Sequence, residues 1–159
     1  MNIRIDTTSK PQSPRLCPST SLAYAAGMFD GDGCIHIAKQ KKATTKRGYI
    51  FRLVISISQN HLGTVIDFQV LVGVSGRIYQ QTRKGSQNKD TYNLIYNGCD
   101  AANVIRKLTP YLHRKLDEAK EALSFQDTCE IHRHFGPKGC PDSVWKRRET
   151  HYRKLRNLK

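Results

Sequence analysis

Two carboxylates, Asp30 and Asp32, alternate with Gly31 and Gly33 inside the run Ser21–Ile37, S-L-A-Y-A-A-G-M-F-D-G-D-G-C-I-H-I. The first half of this run reads as a helix, which places both acids at its C-terminal end. The helix dipole is negative there, so each is disfavoured by some tenths of a kcal/mol. Such acids call for a partner, and a metal ion is one. An acidic helix cap and turn is the other reading, and this stretch taken alone leaves both open. A second group, Cys129, His132, His134 and Cys140, spells C-x2-H-x-H-x5-C. Structural zinc sites favour C-x2–4-C paired with H-x3–5-H, so zinc is not expected here.

The elements that must position the acids follow from periodicity. Ser19, Thr20 or Ser21 can cap the first helix, and Leu22, Ala25, Ala26 and Phe29 recur at helical spacing. Ala23, Gly27 and Gly31 fall four apart, giving one face nothing larger than a methyl group. Another backbone can approach such a face more closely than the usual 8–10 Å between helices.

An alternating strand, Cys34–Gln40, comes next, with Ile35 and Ile37 inward and His36, Ala38 and Gln40 outward. Lys39 to Gly48 closes a basic hairpin turn. Tyr49–Gln59 turns Phe51, Leu53, Ile55 and Ile57 to one side and Arg52, Val54, Ser56 and Ser58 to the other. Asn60–Gly73 fits a helix, and Gly76–Gln81 and Asp90–Tyr96 read as strands around the polar loop Thr82–Lys89. Asp100 is placed to cap a further helix, Pro110 interrupts it, and Leu112–Phe125 and Ser143–Leu158 are helical. Strands apolar on one side suit an antiparallel sheet with helices on one face, an α+β architecture.

The chain has 159 residues, 38% of them hydrophobic, enough for one compact domain rather than a disordered basic protein. It carries 27 Lys and Arg against 13 Asp and Glu, a formal net charge of +14. A polyanionic partner follows, and charge alone fits DNA and RNA equally. No apolar run approaches the roughly 18–20 residues that span a bilayer, and no signal-peptide core is present, so a soluble intracellular protein without a membrane partner is expected. Five scattered cysteines do not make a disulfide framework. The proline-containing residues 1–18 read as a flexible basic arm, 19–127 as the folded domain and 128–159 as a basic extension whose cations suit phosphate contacts.

Ala25-Ala26-Gly27-Met28-Phe29-Asp30-Gly31-Asp32-Gly33 resembles the LAGLIDADG motif of the homing endonucleases. Ala25 replaces the first Leu of the motif and Gly31 the Ala between the acids. The element order α-β-β-α-β-β-α-α over Ser21 to Leu123 matches that family's four-stranded antiparallel saddle with helices on one face. The resemblance implies a metal-dependent, intron-encoded endonuclease that cuts double-stranded DNA and leaves 3′ overhangs. It implies Mg²⁺, with Mn²⁺ able to substitute, bound by Asp32 and the Gly31 carbonyl. It gives Gln59, 27 residues after Asp32, and Lys115 as further catalytic residues. The motif occurs once, so the chain is expected to pair with itself through Ala23, Ala26, Gly27, Asp30 and Gly31, and C2 symmetry then demands a quasi-palindromic target. The resemblance gives Asp30 a structural role at the helix ends near the dimer axis, with metal binding secondary. Organellar compartments (chloroplast or mitochondrion) or a prokaryotic cytoplasm are implied. Two alternatives share the fold: an intron maturase that binds intron RNA, and a sequence-specific DNA binder that has lost cleavage.

A strand rises roughly 3.3 Å per residue, close to the roughly 3.4 Å between nucleotides of one DNA strand. A saddle sheet can therefore follow the major groove. The outward side chains become its candidate base readers: His36, Gln40, Lys42, Arg52, Ser56, Ser58, Arg77, Tyr79, Gln81, Arg83, Thr91 and Asn93, with Ile95 beside them.

Overall fold

The computed structural model describes residues 18–45, 47–82, 90–131 and 139–159. The expected basic arm (but for Pro18), most of the polar loop including Arg83, and both His132 and His134 lie outside the described residues. The order is α1 (Pro18–Asp32), β1 (Gly33–Lys41), β2 (Tyr49–Gln59), α2 (Leu62–Val72), β3 (Arg77–Gln81), β4 (Thr91–Asn97), α3 (Gly98–Leu108), a 3-10 turn (Thr109–Tyr111), α4 (Leu116–Ile131) and α5 (Asp142–Asn157). This is the α+β architecture expected. The four strands form one antiparallel sheet in the order β1-β2-β4-β3.

Alternation decides which side of the sheet is covered. Ile35, Ile37, Phe51, Leu53, Ile55, Ile57, Leu94 and Tyr96 are buried beneath the helices. Each large apolar side chain so buried contributes about 1.5–3 kcal/mol. Phe29 of α1 stacks on Phe68 of α2 at 6.1 Å, and the Tyr96 hydroxyl donates to the Val74 carbonyl at 3.0 Å. Among the described residues no helix is long and apolar enough to cross a membrane.

α2 and α5 are shifted by one or two residues from their expected spans, and the starts of α1 and α3 and both ends of α4 also differ from the sequence reading. α1 begins at Pro18, upstream of all three expected caps; proline suits a first helical position because the missing N–H has no partner there anyway. α3 begins at Gly98, whose φ of 55° turns β4 straight into the helix. Asp100 is consequently in the first turn of α3, not ahead of it. α4 starts at Leu116 rather than Leu112, because the 3-10 turn and the segment after it are held elsewhere, and it runs on to Ile131. The boundary expected after residue 127 thus falls inside a helix.

The C-terminal residues share the core. Leu155 and Val144 of α5 are buried, and Trp145 and Tyr152 pack on Phe51 at 4.9 and 5.6 Å. Arg47 in the hairpin turn ion-pairs with Asp142 and lies over the Trp145 ring, fastening the tip of the β1–β2 hairpin to the start of α5.

Candidate catalytic centre and nucleic-acid interface

Asp32 is the last residue of α1 and is exposed to solvent. Gln59 is the last residue of β2, and its Nε2 donates to Asp32 Oδ2 at 2.6 Å. One carboxylate oxygen is therefore held and the other remains available. Gly31 precedes it in the final turn, where the last four carbonyls have no partner within the helix. Among the described residues no cluster of three or more His, Cys, Asp or Glu side chains is placed to hold a metal ion. One acid and one carbonyl fit Mg²⁺, which is commonly bound through one or two carboxylates with the remaining positions filled by water and substrate phosphate.

Asp30 has a different occupation. Its carboxylate accepts the backbone N–H groups of His113 at 2.7 Å, Arg114 at 3.2 Å and Lys115 at 3.0 Å. It caps the approach to α4 from a position 83 residues earlier in the chain. Burial alone would push its carboxyl up, but these three N–H donors, aided by the Lys115 charge, hold it below the usual carboxylate range. The buried Lys115 ammonium donates to the Asp30 carbonyl at 3.1 Å, so it caps the end of α1 in return. Asp30 is thus engaged within its own chain, at the helix end. Ala26, also expected at a dimer face, is fully buried in the core together with Ala25 and Phe29. Ala23, Gly27 and Gly31 do lie on the open side of α1, beside the exposed Tyr24, and a Cβ at Gly27 or Gly31 would meet nothing within 4 Å.

The uncovered side of the sheet carries the expected readers. Cross-strand pairing sets Cys34, Ser56, Ile95 and Arg77 in one row and Ser58, Asn93 and Tyr79 in the next. His36 pairs with Val54, which pairs with Asn97, and beyond them Arg52 stands beside Ala38. Thr91 lies opposite Gln81, and Gln40 and Lys42 lead into the hairpin turn. The Ser58 hydroxyl donates to Asn93 Oδ1 at 2.5 Å. Two residues on this side were not assigned to it from sequence, Asn97 and Cys34, and a third, Val54, was. Asn97 closes β4, Val54 is buried, and Cys34 sits between His36 Nδ1 at 3.9 Å and Lys159 Nζ at 3.2 Å. The His36 hydrogen bond leads, against burial and with help from Lys159, in drawing the Cys34 thiol down to about 7. Alternation along β1 carries the signal for Cys34, since it shares a face with His36.

The family described as LAGLIDADG endonuclease matches residues 25–132, more than half of the sequence and inclusive of Asp32, Gln59 and Lys115. The chain belongs to that family. Comparison with curated protein sequences gave no match. Among solved structures, this LAGLIDADG chain is similar to the homing endonuclease I-CvuI in complex with its target, at 21% identity and a TM-score of 0.73, covering 89% of this chain and 83% of that one. It is also similar to the archaeal intron-encoded homing endonuclease I-Vdi141I complexed with DNA, at 16% identity and TM-score 0.69 over 89% and 85% of the two chains. The group I intron-encoded homing endonuclease I-CeuI complexed with DNA follows at 20% identity and TM-score 0.59, over 77% and 61%. At these identities the likeness is one of fold.

Proposed function

We propose that this LAGLIDADG chain is an intron-encoded homing endonuclease. As a homodimer it makes a Mg²⁺-dependent double-strand break in a long quasi-palindromic DNA site and leaves 3′ overhangs. The observation that carries the reading is the exposed Asp32 carboxylate, oriented by Gln59, at the end of a helix whose Ala23-Gly27-Gly31 row carries nothing larger than a methyl group. Two such helices brought together about a two-fold axis would set two copies of Asp32 side by side, supplying the second acid that one chain lacks.

Phosphodiester hydrolysis needs an activated water and neutralisation of charge on the phosphate and the leaving oxygen. A divalent cation held by Asp32 and the Gly31 carbonyl would supply Lewis acidity at that position. The residues of the chain do the positioning. Gln59 fixes the rotamer of Asp32, and Lys115 steadies the helix end two residues before it while adding positive charge beneath the site. The Asp30 cap joins that helix end to α4, so the acid stands on a rigid support. The polar sheet face would lie in the major groove, and the +14 charge would draw in the duplex.

The test is cleavage of a randomised duplex library in Mg²⁺, with Ca²⁺ and EDTA as controls. Discrete Mg²⁺-dependent cutting at one quasi-palindromic site is expected. Selective retention of a duplex without cutting in Mg²⁺ would point to a silent DNA binder. Neither cutting nor retention would redirect the reading to intron RNA.

A further inference from the structure

The sheet has a notch on its reading side. β2 continues outward past Val54, but its neighbour β4 stops opposite that residue at Asn97 and turns away through Gly98. On the other flank β3 begins only at Arg77. The gap is a cleft of about 240 Å³, lined among others by Arg52, Arg77, Ile95, Tyr96, Asn97 and Asp100. Two exposed guanidiniums and one exposed carboxylate therefore meet in one concavity, and among the described residues none of the three is in an ion pair. The acid is the informative member. A carboxylate facing a polyanion weakens association unless it finds a hydrogen-bond donor, so its presence on this face of a +14 chain selects among partners rather than strengthening all of them.

We infer that this cleft is a dedicated reader of one G·C base pair in each half-site, a guanidinium addressing guanine and Asp100 addressing the paired cytosine. The chemistry of the groove edge carries the choice. Guanine alone presents two adjacent acceptors, N7 and O6, to a forked guanidinium, and its partner cytosine presents an N4 amino donor that a carboxylate accepts. An A·T pair offers no adjacent pair of acceptors, so the fork is left half-used. Asn97, at the wall of the cleft, adds an amide that can donate or accept. The inference rests on the DNA reading above and adds to it a base identity and two residues, Asn97 and Asp100.

The experiment takes the full chain and the duplex it selects from the randomised library, measured by binding in Ca²⁺. Every base pair of that duplex is then replaced singly. With the unaltered protein, replacing one G·C pair per half-site should weaken binding by about 5- to 150-fold. Asp100→Ala should reduce discrimination at that pair of symmetry-related positions, Asp100→Asn should reduce it less because its amide oxygen can still accept from cytosine, and both should leave the profile elsewhere unchanged. The inference is overturned if both variants keep the full profile, or if both weaken every duplex equally, as a general phosphate site would. It is also overturned if no G·C replacement matters to the unaltered protein. A chain that selects no duplex at all fails the DNA reading itself, before any variant is made.

Discussion

Gln59 Nε2 donates to Asp32 Oδ2 across 2.6 Å, tying the last residue of β2 to the last residue of α1. The acid that would hold the metal is thereby fixed by the same strand whose outward residues would face the groove. Asp32→Asn should reduce cleavage to background with binding largely kept. Gln59→Ala leaves the acid in place but free to turn, and misplacement of about 1 Å costs about 100-fold in rate. Single-turnover cleavage beside equilibrium binding of the same duplex separates the two effects; an equal loss of binding in either variant would make the pair structural.

Asp30 is expected to act on stability. Asp30→Ala strands three N–H groups at the start of α4 and should cost about 1–2 kcal/mol, as loss of a helix cap does. In a chain of this size that is about 2–8 °C in Tm. The pH dependence has a definite sign. Its folded-state carboxyl is held below the ordinary value of 3.8, so the stabilisation is present above 3.8 and is lost as pH falls through the lower folded value. The Tm gap between the unaltered protein and Asp30→Ala should therefore be full at pH 7 and narrow progressively below about pH 4. A gap independent of pH would show that the charge of Asp30 contributes nothing.

Gly27→Leu tests the open face of α1. A Cβ there meets nothing within 4 Å, so the added side chain leaves the fold of one chain undisturbed while standing where a second helix would lie. Sedimentation should report a folded monomer that no longer cuts. A variant that still sediments as a dimer would place the interface on another surface.

Gly33 separates close packing from chain flexibility. A Cβ at this junction would lie 2.4 Å from Phe29 Cδ2 and 2.5 Å from the Phe29 carbonyl, and Phe29 is itself locked in the core. Gly33→Ala should destabilise by about 1–3 kcal/mol through overpacking. Gly31→Ala, two residues earlier in open space, should leave the thermal stability of the folded monomer undiminished. Denaturant melts of the two variants make the comparison, and equal midpoints would contradict the packing.

Much of this protein is written locally. The motif with its interleaved acids and glycines, the alternation of β1 and β2, and the face of α2 each follow from side-chain period, and period is a property of neighbouring residues. The family and its α+β saddle follow from those segments. What periodicity cannot supply is the identity of whatever packs against a given face. Ala26 and Gly27 are adjacent and both small, yet one is buried and the other open, a difference decided by which side of α1 the rest of the chain packs against. Only the resemblance separates Asp30 from Asp32 in the sequence; the contacts that part them come from the start of α4, more than 80 residues away, which docks its N–H groups on one, and from the end of β2, which reaches the other. The start of α4 at Leu116 moves for the same reason. The notch between Arg52 and Arg77 exists only because β4 ends before β2 does, a matter of strand register in space. The family, most of the elements and the acid at the helix end are legible in the order of residues. Which of those groups remain free to meet a ligand depends on the folded packing, because freedom to bind is what is left after the rest of the chain has made its contacts.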